Sequence, residues 1–420
     1  MAVYLTCITS AGGIPIFNRK KGDGEQLPFS TVGALKGIHL FCKTYSYDLQ
    51  STKIKNGSIV WKEFYDSIIL IIISPTTTEI VLQEFLSKVF CAMVFYVGLD
   101  QLKDIKSVER LKRDLRPCMS LVEKMLENLN TEINYTECIL GPDTNVLASC
   151  LESFSEQIES PFCCLLINNR LSIATEAWWT LHFFERQLLS LVALLDPAST
   201  NSVKELPVFL LHKSPNVAFR LIWTPVSSSS IILALCGPTP DASEITNIIQ
   251  MSWQKAHEAL AAALLCAPRN FPLHIQIDPT VLGILLINFK IGKYVISRSP
   301  QLTGLKRSVS GAHRVDVLHA FHNQIIKTTM AANRFNDDNT SNSLGSTSSR
   351  GNKSPHNQIC DLFWDGFESY WCSEYHKCHC LVEGDNMMCI MYTSVMPVCT
   401  MRIVTQKTLK LFLTDKHIHW

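Results

Sequence analysis

The stretch DSIILIIISP, residues 66–75, contains six consecutive isoleucine or leucine residues, Ile68 to Ile73. A helix that crosses a bilayer needs about 18 or more apolar residues in a row, whereas a strand buried on both faces needs roughly four to eight. The run also lacks the apolar–polar alternation of a strand with one exposed face. It therefore predicts a central strand covered on both sides. The next long apolar stretch, from Val89 to Leu99, is also too short to span a membrane.

The composition favours a cytosolic protein of several domains. The chain has 420 residues, of which 47% are hydrophobic, which is enough for two or three domains of about 100–200 residues each. Sixteen cysteines are scattered through apolar segments, and the first residues lack the basic region of a signal peptide. We therefore expect reduced core thiols. A formal net charge of +1 provides no basic footprint for nucleic acid, so we expect no nucleic-acid partner.

One order of elements is repeated along the chain. Around the opening strand we predict a hairpin at Ala11-Gly12-Gly13, a helix over about 28–45, three further strands, and helices over about 78–97 and 108–126. Hairpins over about 162–175 and 281–299 begin two similar series. In the second series we predict helices over about 178–195 and 243–265, and in the third a helix over 315–335. The predicted modules cover residues 1–130, 155–267 and 271–420.

Residues 336–358 differ in composition from the rest of the chain. They are rich in Asn, Asp, Ser, Thr and Gly, and Leu344 is their only large apolar residue. Such a segment buries too little surface to offset the entropy of ordering it, so we predict a disordered loop within the third module.

The motif search gives no catalytic, cofactor-binding or metal-binding assignment. CSEYHKCHC, residues 372–380, is rich in Cys and His but lacks a CxxC pair, and alternate residues of a strand would point to opposite faces. His257-Glu258 begins the HExxH pattern of zinc proteases, but Ala261 stands where the second histidine is needed. Phosphate-binding loops, dinucleotide fingerprints and GxSxG are absent from the sequence. We therefore expect no enzyme acting by covalent chemistry and no cofactor.

The predicted first helix has two apolar faces. Helical spacing aligns Leu35, Ile38 and Phe41 on one face, and Phe29 and Leu40 on a second face beside two glycines. Lys36, His39 and Lys43 form the polar stripe. A helix that only covers its own sheet needs one apolar stripe, so the second predicts contact with another module or another protein. The sequence leaves both choices open.

The segment DQLKDIKSVERLKRDLR, residues 100–116, interleaves six basic and four acidic residues. Such mixing is typical of a solvated face with weak ion pairs. The alternative is a docking surface for a phosphoinositide membrane or an acidic partner.

Four segments resemble one protein family closely. QLPFSTVGALKGIHLF (26–41), IVWKEFYDSIILIIIS (59–74), VFCAMVFYVGLDQLKDIKSVERLKRDLR (89–116) and ATEAWW (174–179) are similar to the Fuzzy family of planar cell polarity and ciliogenesis effectors. The resemblance is close over residues 1–180. It implies an α+β fold of three longin-like modules, each a five-stranded antiparallel sheet flanked by helices.

The resemblance also implies a function. Fuzzy proteins pair with Inturned, another longin protein, and with a WD-repeat planar polarity effector in the ciliogenesis and planar polarity effector (CPLANE) complex. By likeness to other longin pairs, the chain would form part of a guanine-nucleotide exchange factor for a Rab-type GTPase in ciliary protein and vesicle trafficking. The expected locations are cytoplasm, cytoskeleton and ciliary basal body. The alternative is an adaptor at the basal body that recruits intraflagellar transport components.

An exchange factor works by binding, which needs shape and no nucleophile. We predict that the partner surface lies on the first helix and the neighbouring strand, and that it comprises Phe29, Lys36, Leu40, Lys43, Trp61 and Phe64. For Trp61 and Phe64 the alternative is ordinary packing in the core or on the sheet.

Overall fold

The computed structural model describes residues 2–131, 133–142, 144–198, 202–297, 311–340, 363–418 and 420; for residues 311–312 and 330–340 it describes the backbone alone. Within this part of the chain, three sheets are flanked by helices, which confirms the predicted α+β fold of three modules.

Module 1 is built around the strand that contains Ile68 to Ile73. Its elements are β1 (Val3–Thr9), β2 (Pro15–Lys21), α1 (Phe29–Thr44), β3 (Ser51–Ile54), β4 (Gly57–Phe64), β5 (Ile68–Ser74), α2 (Glu79–Val97), α3 (Leu99–Lys103), α4 (Val108–Asp114) and α5 (Cys118–Asn128). The antiparallel strand order is β2-β1-β5-β4-β3. Strand β5 is central: Ile69 and Ile71 pack on the side of α1, and Leu70 and Ile72 on the side of α2. The predicted doubly covered strand is confirmed.

Module 2 repeats this plan after a linker that is itself structured. The linker contains β6 (Thr136–Glu137) and α6 (Thr144–Gln157). The module itself contains β7 (Cys163–Ile167), β8 (Arg170–Ala174), α7 (Glu176–Trp179), α8 (Phe183–Leu195), β9 (Lys204–Leu210), β10 (Ser214–Ser227), β11 (Ser230–Cys236), α9 (Ala242–Trp253), a 3-10 turn (Gln254–Ala256) and α10 (His257–Leu264). Its antiparallel order is β8-β7-β11-β10-β9, which matches the order in module 1 position by position.

Module 3 differs in the number of strands. It contains β12 (Val281–Asn288), β13 (Lys293–Ser297), α11 (Gly311–Thr340), β14 (Glu368–Cys372), β15 (His376–Glu383), β16 (Asn386–Thr393) and α12 (Val398–Thr414). The described part of its sheet has six strands where five were predicted, in the order β14-β15-β16-β12-β13-β6. The sixth, β6, comes from the linker and pairs with β13 in parallel. The next residue, Cys138, bridges to Leu171 of module 2, so the linker ties the two modules together.

Several helix boundaries differ from the predictions. The helix predicted over 108–126 is split into α4 and α5, because Pro117 cannot donate an amide hydrogen inside a helix and instead stands at the start of α5. The helix predicted over 178–195 is likewise split into α7 and α8, and that over 243–265 is interrupted by a 3-10 turn. Helix α6 was not predicted. Residues 336–340 of the predicted loop end α11, and residues 341–358 lie outside the described residues.

Helix α2 is the central helix of the molecule. By length and composition it is the one described helix that could cross a membrane, but 72% of its most apolar window is buried inside the protein. One side packs on β4 and β5 of its own sheet, and another contacts β9 and α8 of module 2. Its hydrophobicity is therefore accounted for by two protein neighbours, as in the core helix of a globular protein.

Candidate functional site: the outer face of helix α1

Helix α1 attaches to its sheet through one narrow stripe. Val32, Leu35 and His39 are buried, at the i, i+3, i+7 spacing of a single helix face. Trp61 of β4 lies beneath this stripe with 1% of its surface exposed, and its indole N–H donates a hydrogen bond to the Leu35 carbonyl oxygen over 3.2 Å. The prediction that Trp61 forms part of a partner surface is therefore wrong. Its indole holds α1 on the sheet, which is the packing alternative considered from the sequence.

The opposite side of α1 is a broad apolar surface in contact with solvent. Phe29 is 71% exposed, Leu40 54% and Phe41 64%. Apart from the nearby backbone of α1 itself, a Cβ atom added at Gly33 or Gly37 would meet no described atom within 4 Å, so the surface between these side chains is open. We call Phe29, Gly33, Gly37, Leu40 and Phe41 the outer face of α1.

The second apolar face predicted from the sequence is thus present, and it is wider than predicted. Ile38 and Phe41 were assigned to the same face as Leu35, but Ile38 is 50% exposed and Phe41 belongs to the outer face. The Phe41 ring also contacts exposed Tyr45, with the ring centroids 4.9 Å apart. Sequence reasoning missed Tyr45 because it stands at the predicted end of the helix. The available signal was its i+4 spacing from Phe41.

The two predicted lysines lie along the border of this face. The Lys36 ammonium donates to the Ala11 carbonyl oxygen over 3.3 Å and covers the first hairpin. The Lys43 ammonium bonds the carboxylates of Glu63 at 2.9 Å and Asp66 at 2.8 Å. These bonds raise the pKa of Lys43, chiefly through Asp66, whose own pKa is lowered by the same contact. Both lysines are already engaged with module 1.

Two further predictions about this region are corrected. His39 was placed in the polar stripe, but it is buried, with its Nε2 3.9 Å from a Glu63 carboxylate oxygen. Phe64 was grouped with Trp61, yet the two are three residues apart on one strand and so point to opposite faces of the sheet. The Phe64 ring stacks on Phe90 of α2, with centroids 4.1 Å apart. The structure therefore brings together Phe29, Lys36, Leu40 and Lys43, but not Trp61 or Phe64.

Helix α8 shows what happens to an equivalent second face elsewhere in the molecule. It follows the first hairpin of module 2 as α1 follows that of module 1. One side of α8 packs on its sheet at β11, and another side packs on α2 and α5 of module 1. Consequently Phe184, Leu188 and Leu189 are all buried. No described residue covers the outer face of α1 in a comparable way.

The cysteine- and histidine-rich segment 372–380 does not gather ligands at one point. Cys378 and Cys380 are buried on one side of β15, and His379 points to the other side, where its Nδ1 lies 2.7 Å from the Thr405 hydroxyl. Burial lowers the pKa of His379 to about 4. Among the residues that the structure describes, no group of three or more His, Cys, Asp or Glu could hold a metal ion.

The charges of residues 100–116 pair mainly with one another. Lys112 lies 2.9 Å from Glu109, and Arg110 lies 3.5 Å from Asp114. These are exposed pairs at helical spacing, worth about 0.3–0.5 kcal/mol each. The pairing is that of a solvated face. A cavity of about 430 Å³ in this segment is lined by Lys103, Lys106 and Arg110, and also by Asp100 and Asp104.

Comparison with known proteins identifies the family to which these three modules belong. Residues 3–125 match the model of the first longin domain of FUZ, MON1 and HPS1, residues 158–254 the second, and residues 280–416 the third. The chain is 32% identical over 427 aligned positions to Protein fuzzy homolog of Xenopus tropicalis, covering 99% of this chain and 98% of that protein. This chain belongs to the Fuzzy family.

Mammalian relatives agree with this assignment. The Homo sapiens and Mus musculus proteins named Protein fuzzy homolog are each 34% identical to this Fuzzy-family chain over 309 positions, covering 71% of it and 73% and 74% of those proteins. The predicted family of planar cell polarity and ciliogenesis effectors is therefore confirmed for the chain, as are its three longin modules. In this Fuzzy-family chain the outer face of α1 lies within the first longin domain.

Proposed function

We propose that this chain is a partner-dependent subunit of a guanine-nucleotide exchange factor for a Rab-type GTPase, and that the outer face of α1 binds the longin partner of the pair. The observation that carries the proposal is the uncovered apolar surface formed by Phe29, Leu40 and Phe41. Exposed contiguous apolar patches of this kind mark protein–protein interfaces. Family membership supports an Inturned-like longin protein as the partner, because longin domains of this type suggest contacts between longin proteins.

The packing of α8 supports a longin protein as the partner of α1. Within this chain, the second apolar face of α8 is covered by helices α2 and α5 of another longin module. A longin surface from a second protein would cover α1 by the same kind of packing. Gly33 and Gly37 lack side chains, so a helix could approach the α1 backbone closely there.

The proposed mechanism is differential binding without covalent chemistry. An exchange factor accelerates nucleotide release by binding the GTPase more tightly when its switch segments are displaced and its contacts to magnesium and phosphate are weakened. The protein contributes a rigid, shaped surface. In this proposal α1, held on its sheet by the Trp61 hydrogen bond, positions the partner so that the two chains share the GTPase surface.

The partner surface is tested by making it polar. We expect the affinity of the double variant Phe29→Asp/Leu40→Asp for the Inturned-like partner to fall by at least about 100-fold. The reason is that losing an apolar anchor residue at an interface costs about 2 kcal/mol or more of binding free energy. The loss is measured by co-purification and titration of the purified chains. A matched control is Met251→Asp/Leu265→Asp, which changes two residues of module 2 that are 71% and 72% exposed. Equal loss of binding in both variants, or in neither, would remove α1 as the partner surface.

The exchange activity is tested separately. Release of a fluorescent nucleotide from the Rab-type GTPase should accelerate when the purified pair is added, and should stay at the basal rate with either chain alone. A saturating pair that binds the GTPase without changing the release rate would instead support the adaptor that recruits intraflagellar transport components. Charge reversal at Lys36 tests whether the border of the face contributes to GTPase binding, because this lysine is bonded only to the Ala11 backbone among the described contacts.

The remaining partner and location assignments are part of the same proposal. We propose that the pair assembles with a WD-repeat planar polarity effector at the ciliary basal body, within the cytoplasm and cytoskeleton. A tagged Phe29→Asp/Leu40→Asp variant should lose basal-body enrichment in ciliated cells, whereas the Met251→Asp/Leu265→Asp control should retain it. A phosphoinositide surface at residues 100–116 is tested by sedimentation with vesicles that contain phosphoinositide.

A further inference from the structure

A cavity lies on the other face of the first sheet, between modules 1 and 2. This cavity of about 360 Å³ opens between Phe64 and Phe90 of module 1 and His182, Phe184 and His212 of module 2. We call it the aromatic pocket. Its volume falls within the range of small-molecule sites, about 300–1,000 Å³. An apolar cavity of roughly 150 Å³ already holds benzene, so this one accommodates a two-ring aromatic group.

The walls of the aromatic pocket are flat rings. On one side the Phe64 and Phe90 rings are nearly parallel, with an interplanar angle of 2°. On the other side the imidazoles of His182 and His212 stack with centroids 3.9 Å apart and an interplanar angle of 20°. Burial lowers the pKa of His212, so its ring is neutral at neutral pH. Aromatic walls of this kind favour an aromatic guest.

One end of the pocket carries a positive charge. The Lys62 ammonium lines the cavity and donates a hydrogen bond to the Ser87 hydroxyl over 2.6 Å. Among the described residues, no carboxylate lies within ion-pair distance of it. Burial lowers the pKa of Lys62, and the charge of Glu84, whose carboxylate accepts a hydrogen bond from Asn134, opposes that shift. The Lys62 Nζ also lies 5.8 Å from the centroid of the Phe64 ring. An ammonium taken partly out of water without an ion-pair partner favours a guest that supplies an anion.

The other acidic groups around the pocket are already engaged. Glu63 bonds Ser10 and Lys43 on the α1 side of the sheet. The Glu185 carboxylate accepts the His212 and His182 backbone amides at 2.8 and 3.2 Å. Neither carboxylate competes for Lys62.

We propose that the aromatic pocket binds a small planar aromatic carboxylate, with its rings between the Phe64–Phe90 and His182–His212 walls and its carboxylate on Lys62. Because the walls come from two modules, bound ligand would hold modules 1 and 2 together. The proposal is independent of the partner surface on α1, since the pocket lies on the opposite side of the first sheet.

The test uses two probes of the same shape with the full-length chain. By isothermal titration calorimetry, naphthalene-2-carboxylate should bind about tenfold more tightly than the neutral 2-naphthamide, because a hydrogen bond between two charged groups is stronger than one to a neutral acceptor. The carboxylate should also raise the melting temperature. In Lys62→Met the preference should disappear while amide binding persists. The control Lys53→Met removes an exposed lysine of β3 and should bind both probes as the wild type does.

A filling variant tests the cavity itself. Leu211→Trp places a large side chain at the pocket wall and should abolish binding of both probes. If Leu211→Trp does not fold, the proposal is tested by the relative affinity of Lys62→Met for the two probes. Equal affinity of the wild type for the two probes, an unchanged preference in Lys62→Met, or no binding of naphthalene-2-carboxylate would overturn the proposal.

Discussion

Helices α1 and α8 occupy the same place in successive modules, but among the described residues α8 is covered on two sides and α1 on one. α8 packs on its own sheet and on α2 and α5 of the preceding module. Among the described residues, the buried side chains of α1 pack on the strands of its own sheet. Both helices have more apolar surface than one sheet can bury. In the described part of the chain, a second apolar face is buried where a neighbouring module packs against it and is exposed where no module does.

The largest expected effect concerns the inner anchor of α1. Replacing Trp61 by Ala removes a large buried side chain and the indole hydrogen bond to the Leu35 carbonyl oxygen. We expect the free energy of unfolding to fall by about 3–5 kcal/mol, as for other aromatic-to-alanine changes in cores. Chemical denaturation measures it. A loss below about 1 kcal/mol would show that Trp61 does not hold α1 in place.

The second prediction compares the two helices directly. Leu188 of α8 is fully buried, whereas Leu40 of α1 is 54% exposed. Leu188→Ala should cost about 2–5 kcal/mol of unfolding free energy, and Leu40→Ala should stay within about 0.5 kcal/mol. The same denaturation experiment measures both. Similar losses of unfolding free energy in the two variants would mean that the outer face of α1 is covered within this chain. The proposed difference between α1 and α8 would then be wrong.

The third prediction concerns the covered side, where α2 buries an acidic residue. Burial raises the pKa of Glu84 from its usual value to about 7. The folded state therefore holds a proton that the unfolded state releases between about pH 4.5 and 7, so this group lowers stability as the pH rises through that interval. Between pH 5 and pH 8, this titration should lower the free energy of unfolding of the wild type by on the order of 2–3 kcal/mol. In Glu84→Gln this decrease should be absent.

The measurement is the free energy of unfolding of wild type and Glu84→Gln at a series of pH values. Glu152→Gln is the matched control, because Glu152 is an exposed glutamate of α6. A Glu84→Gln profile parallel to that of the wild type would show that Glu84 does not titrate in this range.

The smallest expected effect lies at the border of the open face. Lys43→Met breaks the bonds to Glu63 and Asp66 at the surface. Exposed ion pairs contribute about 0–1 kcal/mol, so the unfolding free energy should fall by no more than about 1 kcal/mol, and less at high salt. A larger, salt-independent loss would indicate that Lys43 packs as part of the core.

The sequence predicted those parts of the fold that depend on local periodicity. The uninterrupted apolar run of β5 predicted a strand covered on both faces, and the repeated order of elements predicted three modules. It did not predict β6, whose two residues become a strand only because β13 lies beside them. Nor did it predict the breaks in the longer helices, although Pro117 was an available signal for the break between α4 and α5. For such elements the deciding contacts are distant in the chain.

The candidate site shows the same division residue by residue. The amino-acid pattern by itself determined that α1 has more than one apolar face, since hydrophobicity at helical spacing is written in the order of residues. Which face meets the sheet was decided by the tertiary structure: Trp61 and His39 were buried and Phe41 was left exposed. The physical reason is that burial depends on what lies opposite a side chain. For α8 the opposite surface is helix α2, which is about 100 residues away in sequence, and no local pattern records that neighbour.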